Sequence, residues 1–210
     1  MLHQSKLKLR NVALFGAPGV GKGTYGKLIS REFKHPVFSM GDYFRDVISK
    51  GQTGDAFVTK LRETLRSGQY VDDAMVLEVI RRVRFESFKD EQVVLLDGVP
   101  RTIAQAEALQ REMGIDLVFN FTTPYDVILD KLMGRRLCPV CSRNYNLASI
   151  DRNGYFLKPM LPKISKDNCE DCVDGKTVKL VSREDDVETV IKARMDKYHE
   201  STEPILNFLE

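Results

Sequence analysis

Histidine is scarce in this chain, long apolar runs are absent, and neither sign of charge prevails. The 210 residues hold three histidines, His3, His35 and His199. They lie far apart and share no catalytic spacing, which argues against a histidine-centred proton relay. The longest apolar stretches, such as Val-Val-Leu-Leu at 93–96, fall far short of the roughly 20 residues a membrane helix needs, so no bilayer span and a soluble protein are expected. Thirty-two basic side chains face 30 acidic ones, a formal charge of +2. That balance speaks against a protein that coats a polyanion, and any anionic partner must be gripped locally. Apolar residues at 42% and charged residues at 30% exclude the disordered and collagen-like classes and allow a sizeable core. The first ten residues are basic but carry neither an apolar signal core nor a cleavage site, so secretion is not indicated. They read as a flexible terminus in a cytoplasmic protein, with an arm for the mitochondrion or another organelle as the alternative.

What is present is a repeated strand, loop and helix. Residues 11–15 form a short apolar run closed by Gly16-Ala17-Pro18-Gly19, and helical spacing follows over Lys22–Phe33. The cycle returns at 37–38, 93–96 and Leu117–Phe121. Apolar runs that are continuous rather than alternating predict an α/β fold with a parallel sheet covered on both faces. Residues 43–50, 55–67 and 72–88 read as helices, so one connection holds more than a crossover needs and contains an insertion. Asp72 is placed to cap the last of them. After Arg136 helical periodicity stops, Gly and Pro recur, and all four cysteines appear, which marks a second insertion over 137–181. Helical spacing resumes at Glu184, where Ser182 and Asp185 suggest a capping box, and Pro204 should bend or restart that helix.

The segment Gly16-Ala17-Pro18-Gly19-Val20-Gly21-Lys22-Gly23-Thr24 follows a strand and opens a helix. In that context glycines let backbone N–H groups turn inward around a phosphate, and Lys22 reaches a terminal one. Gly23 stands where a hydroxyl residue is usual in such loops, and Thr24 supplies the hydroxyl one place later. The other signal is two Cys-x-x-Cys pairs, Cys138/Cys141 and Cys169/Cys172. Each pair can present two sulfurs to one ion, and a Zn²⁺ held by four thiolates is the first reading. Two disulfides or a redox pair are the alternatives, disfavoured by the missing signal peptide and by the lack of a strand-to-helix setting. Four sulfurs leave no open coordination position, so such a metal is structural.

The phosphate loop, the segments Gly41-Asp42-Tyr43-Phe44-Arg45 and Asp97-Gly98-Val99-Pro100-Arg101-Thr102, the run Gly134-Arg135-Arg136 and the run Arg183-Glu184-Asp185-Asp186 together resemble the adenylate kinase family in order and spacing. The similarity covers nearly the whole chain and is closest to the long-lid, zinc-type form of these nucleoside monophosphate kinases. It implies a three-layer P-loop kinase with sheet order 2-3-1-4 and two mobile insertions. The corresponding parts are core over 1–38, a monophosphate-binding part over 39–71, core over 72–134, a lid over 135–182 and a core helix over 183–210. The implied activity is ATP + AMP = 2 ADP, with Mg²⁺ carried by ATP and oriented by Asp97 through water.

Carried over by position, Gly19, Val20, Gly21, Lys22, Gly23 and Thr24 would hold ATP phosphates, with Arg135, Asn144 and Tyr145 also on ATP. Met40, Arg45, Gln69, Tyr70, Val71, Gly98, Val99, Pro100, Arg101 and Gln105 would line the AMP site. Arg183 and Arg194 would bridge both phosphate chains. Lys22, Asp97, Arg101, Arg135, Arg183 and Arg194 would then carry catalysis, and Arg81 and Arg136 read as solvated charges. Met40 stands where the family places a threonine and Val99 where phenylalanine is common. Met40 offers no hydroxyl to a base and reads equally as a packed apolar neighbour. Another monophosphate, or GTP as donor, is therefore a rival function, and a nucleotide-binding partner with little turnover is a third, suggested by the shortened end. Relative to that family the fifth strand is missing after the last helix, which would leave 117–121 as a sheet edge. A monomer is expected, with that edge open to cover by another chain or element, or with the sequence itself shortened.

Overall fold

A computed structural model describes residues 10–51, 55–87, 93–141, 143–163, 168–169 and 178–210. In chain order the elements are β1 (Asn11–Gly16), α1 (Lys22–Phe33), β2 (Val37–Ser39), α2 (Met40–Lys50), α3 (Ala56–Arg66), α4 (Asp73–Ser87), β3 (Val94–Asp97), α5 (Ile103–Glu112), β4 (Leu117–Phe121) and α6 (Tyr125–Met133). Six short strands follow: β5 (Arg135–Leu137), β6 (Asn144–Asn146), β7 (Ile150–Arg152), β8 (Tyr155–Leu157), β9 (Asn168–Cys169) and β10 (Val178–Lys179). The chain closes with α7 (Glu188–Lys197), a π turn (Tyr198–Thr202) and α8 (Ile205–Leu209).

β2, β3, β1 and β4 form one parallel sheet in that order, the order expected from the family resemblance. Every residue of β1 is buried, because helices cover both faces of the sheet. Val12, Leu14 and Leu95 pack toward Ile29 of α1. α1 comes close enough at Gly26 that an added Cβ would lie 2.7 Å from Leu14. On the other face Val94 and Leu96 meet α2, α3, α4 and α5 through Phe44, Leu61, Ile80 and Leu109, while Phe15 meets α6, α7 and α8 through Ile128, Leu132, Ile191 and Ile205. Asn11 is buried, and its amide donates to the carbonyls of Met113 and Gly114, which fixes the turn that leads into β4.

Among the described residues β4 has a single neighbour in the sheet, and Leu117 and Phe119 are exposed on it, so the predicted edge is present. Asp72 caps α4 through the Met75 amide, as the sequence indicates; Phe88 lies outside the described residues. The expected capping box is not formed. α7 begins at Glu188 rather than near Glu184, and 183–186 is a turn closed by Asp186 N–H to the Arg183 carbonyl. The reason is electrostatic: Asp185 and Asp186 are engaged by Arg194 and Arg135, which outcompetes capping. Pro204 separates the π turn from α8, as expected. The non-helical segment after Arg136 is a set of two-stranded antiparallel ladders, β5–β6, β7–β8 and β9–β10.

Candidate active site

The glycine loop joins β1 to α1. Gly16, Gly19 and Gly21 have φ of +130°, +84° and +122°, a region that side chains rarely enter. α1 has no side-chain cap and no acid in its first turn, so its leading N–H groups face the cleft with the positive end of the helix dipole. Lys22 curls back over the loop, its Nζ 2.6 Å from the Gly16 carbonyl and 2.9 Å from that of Ala17.

One cleft of about 340 Å³ lies above this loop, within the size range of small-molecule sites. Lys22, Asp97, Arg101, Arg135, Arg183 and Arg194 all line it, brought from the loop, the end of β3, the loop after it, β5 and the segments on either side of α7's start. Gly19, Gly21, Gly23, Thr24, Arg45, Tyr70, Gly98, Pro100, Asn144 and Tyr145 line it as well. Val20, Met40, Gln69, Val71, Val99 and Gln105 do not. Met40 and Val99 are buried in the core beside Phe38 and Phe44, so Met40 is a packed apolar neighbour. Gln105 sits behind the cleft, accepting from the Arg101 amide and donating to Asp73. Neither Arg81 nor Arg136 lines the cleft; Arg81 pairs with Glu112 on the surface, whereas Arg136, expected as a solvated charge, is half-buried and donates to the Met133 and Arg135 carbonyls.

Several lining residues were not singled out by sequence: Tyr25, Ser39, Asp42, Lys131, Lys158 and Thr202. Tyr25 stacks on Phe121 with ring centroids 5.5 Å apart. Lys131 donates to the Val20 carbonyl at 2.7 Å, closing the loop from the α6 side. Asp42, inside a motif already noted, was the one with an available signal.

The charges are partly matched. Arg135 chelates Asp186, Arg194 pairs with Asp185 at 2.7 Å, and Arg45 pairs with Asp42 at 2.6 Å. Burial alone would raise Asp185, but Arg194, then Arg135 and Arg183, hold it below its ordinary value. Asp42 is likewise lowered, chiefly by Arg45 against the effect of burial. Arg183 is only weakly compensated. Its contact with Asp42 is 4.0 Å, its buried Nε has no hydrogen-bond partner among the described residues, and burial followed by Arg135 and Arg45 pulls its pKa down. Lys22 is lowered from 10.5 to about 8 by burial, with Asp97 opposing and Arg101, Arg194 and Arg135 adding to the shift. Lys22, Arg45, Arg101, Arg135, Arg183 and Arg194 thus face Asp42, Asp97, Asp185 and Asp186. Such an excess of buried positive charge is costly without an anion to receive it.

Three cysteines gather beside β5, β6 and β9. The Sγ atoms of Cys138, Cys141 and Cys169 lie within 4.8 Å of one another with no disulfide among them. The Cys141 amide donates to the Cys138 sulfur and the Tyr145 hydroxyl contacts the Cys169 sulfur, so backbone and side chain both orient the thiols. Cys172 lies outside the described residues. Among the described residues no helix is long and apolar enough to cross a membrane.

A parallel 2-3-1-4 sheet whose first loop has the glycine backbone geometry of an anion cradle, surrounded by arginines from five other segments, defines a P-loop kinase of the nucleoside monophosphate class. The adenylate kinase family model matches residues 14–210. The chain is 36% identical over 202 residues to the adenylate kinase of Thermotoga neapolitana, covering 94% of this chain and 84% of that one. It is 32% identical over 200 residues to the GTP:AMP phosphotransferase of Plasmodium falciparum, covering 95% and 84%. With the probable chloroplastic adenylate kinase 6 of Oryza sativa subsp. japonica it shares 36% over 200 residues, 92% of this chain and 66% of that one. The chain belongs to the adenylate kinase family.

Proposed function

We propose that the chain catalyses reversible phosphoryl transfer between Mg-ATP and AMP, giving two ADP. The observation that carries this reading is the convergence of Lys22, Arg101, Arg135, Arg183 and Arg194 on one cleft. Phosphoryl transfer spreads negative charge over the moving group, so it needs positioned cations more than a proton-transfer residue. The glycine loop and Lys22 hold the donor phosphates, Arg45 and Arg101 hold the acceptor phosphate, and Arg135, Arg183 and Arg194 close on the phosphoryl group between them. Asp185 and Asp186 keep two of these guanidiniums aimed before substrate arrives. Mg²⁺ bound with ATP neutralises phosphate charge, and Asp97, on the cleft floor beside Gly23, would hold it through water. We read 39–71 and 135–182 as parts that swing to exclude water, since their outer ties, Arg66 to Glu184 and Arg152 to Asp126 and Asp130, are exposed pairs of little strength.

A coupled assay over a panel of donors and acceptors tests the reading. ADP should form from ATP and AMP and vanish in Arg101→Ala; tight ATP binding without ADP formation would overturn it. GTP as donor is the second reading, favoured by the name of the Plasmodium relative.

A pH dependence follows from Lys22. Its folded pKa of about 8 means that it is mostly charged at neutral pH and mostly neutral above pH 8. Phosphates favour the ammonium and raise that pKa in the complex, so affinity is full below about pH 8 and falls as pH rises above it, at most tenfold per unit for one proton. Calorimetry in two buffers at pH 8.5 should show uptake of most of a proton per ATP, against about a tenth of one at pH 7. Equal uptake at both values would contradict this assignment.

The three converging thiols fit a tetrahedral Zn²⁺ site completed by Cys172, one that folds the lid tip and takes no part in chemistry. Metal analysis should return about one zinc per chain, and chelation should open 137–181 to protease while the sheet core persists. A reduced, active preparation without metal would refute it. Thiolate ligation needs a reducing setting, which supports the cytoplasm, with an organelle as the second reading in view of the rice relative's name. A monomer is the proposed state, to be checked by scattering.

A further inference from the structure

Among the described residues Arg101 makes no ion pair with a carboxylate. Its aim must come from elsewhere. Its guanidinium lies over the Tyr70 ring, 5.3 Å from the centroid, and its backbone amide donates to Gln105 Oε1 at 2.8 Å. Its carbonyl accepts from Thr202 Oγ1 at 2.8 Å, and Thr202 Oγ1 also lies 2.8 Å from the Tyr70 hydroxyl. A carbonyl can only accept, so the single Thr202 proton goes to Arg101 and Tyr70 must donate to Thr202. The bonds therefore run one way, from Tyr70 to Thr202 to Arg101, an order in which each polarises the next.

We propose that Thr202 is a positioning residue for Arg101, relaying a hydrogen bond from the Tyr70 hydroxyl to the Arg101 carbonyl so that the turn after α3 and the π turn after α7 jointly set the aim of the guanidinium. Three observations meet at this point. Thr202 is buried yet lines the cleft, the turn that bears Tyr70 is packed on α7 so closely that a Cβ at Gly68 would lie 2.8 Å from Arg194, and Thr202 ends a π turn, a rare conformation frequent at functional sites. The phenol thus ties the acceptor-side turn to the arginine only when that turn is docked, which makes Arg101 best placed in the docked form. The inference rests on the acceptor role given to Arg101 above.

The test is steady-state kinetics of Thr202→Val, which keeps the shape and removes both bonds, beside Thr202→Ser and Tyr70→Phe. The KM for AMP should rise about tenfold in Thr202→Val and about threefold in Tyr70→Phe, with the donor KM within twofold and Thr202→Ser restoring near-normal acceptor KM. If Thr202→Val fails to fold, Tyr70→Phe and Thr202→Ser carry the comparison. Acceptor kinetics within twofold of the parent in the valine and phenylalanine variants, or donor and acceptor KM rising together with a falling Tm, would overturn the relay. No ADP from ATP and AMP in the parent protein would remove the functional reading itself and this inference with it, whereas normal parental turnover with unaffected variants removes the relay alone.

Discussion

Lys22→Met should lower kcat at saturating nucleotide by about a thousandfold or more, the scale seen when a preorganised cation is taken from a phosphoryl-transfer site. Methionine keeps the bulk of the aliphatic stem and removes only the charge and the two bonds to the Gly16 and Ala17 carbonyls. The fold should survive. Burial and three guanidiniums already disfavour the ammonium in the substrate-free protein, so its loss relieves as much strain as it creates, and Tm should stay within a few degrees. Lys50, exposed and paired with Asp46 outside the cleft, provides the control: Lys50→Ala should leave kcat unchanged. A Lys22→Met protein that keeps kcat within tenfold of the parent would contradict the role given to this side chain.

Gly16→Ala should be the most damaging single methyl among the described residues. At φ +130° an L side chain is strained, and the added Cβ would lie 2.3 Å from the Phe121 carbonyl oxygen, the residue that Gly16 faces across the β1–β4 ladder. Backbone on both sides leaves no flexible group to give way. β4, held by one neighbour, must shift or the glycine loop must open. We expect a loss of about 3 kcal/mol or more, hence about 10 °C in Tm, and a loss of nucleotide affinity, because the Gly16 carbonyl also anchors Lys22. Gly114→Ala isolates the backbone part of this cost. Its φ is +72° but nothing lies within 4 Å of the new Cβ, so the loss should be about 1 kcal/mol. Equal losses at the two positions, read by denaturant titration, would show that the close approach to β4 is not what makes Gly16 necessary.

The local signals in the sequence were those whose physics is local. Apolar runs of strand length located all four sheet strands, the buried β1 and β3 because a strand covered on both faces has little freedom in composition; Leu117–Phe121 matched to the residue although none of it is buried. The glycine loop was legible because backbone conformation there demands glycine. The sheet order and the arginine set came through the family resemblance, and the cleft unites those arginines. What sequence could not give were contacts between distant segments. Thr202 meets the Arg101 carbonyl across 101 positions, and Tyr25 stacks on Phe121; neither leaves a periodic trace. The capping box at Ser182 failed for the same reason, since the acids that would have served a helix start are held by Arg135 and Arg194. Met40 shows the converse: its burial beside Phe44 explains an apolar residue at that place without reference to substrate.

The central claim is that one cleft receives both nucleotides with their phosphates meeting among these cations. Calorimetric titration with two adenosines joined through five phosphates tests it most directly. The account predicts one such ligand per chain, displaced by ATP and by AMP, with binding abolished in Arg101→Ala and in Lys22→Met. Binding that ATP displaces but AMP does not, unaffected by Arg101→Ala, would contradict it.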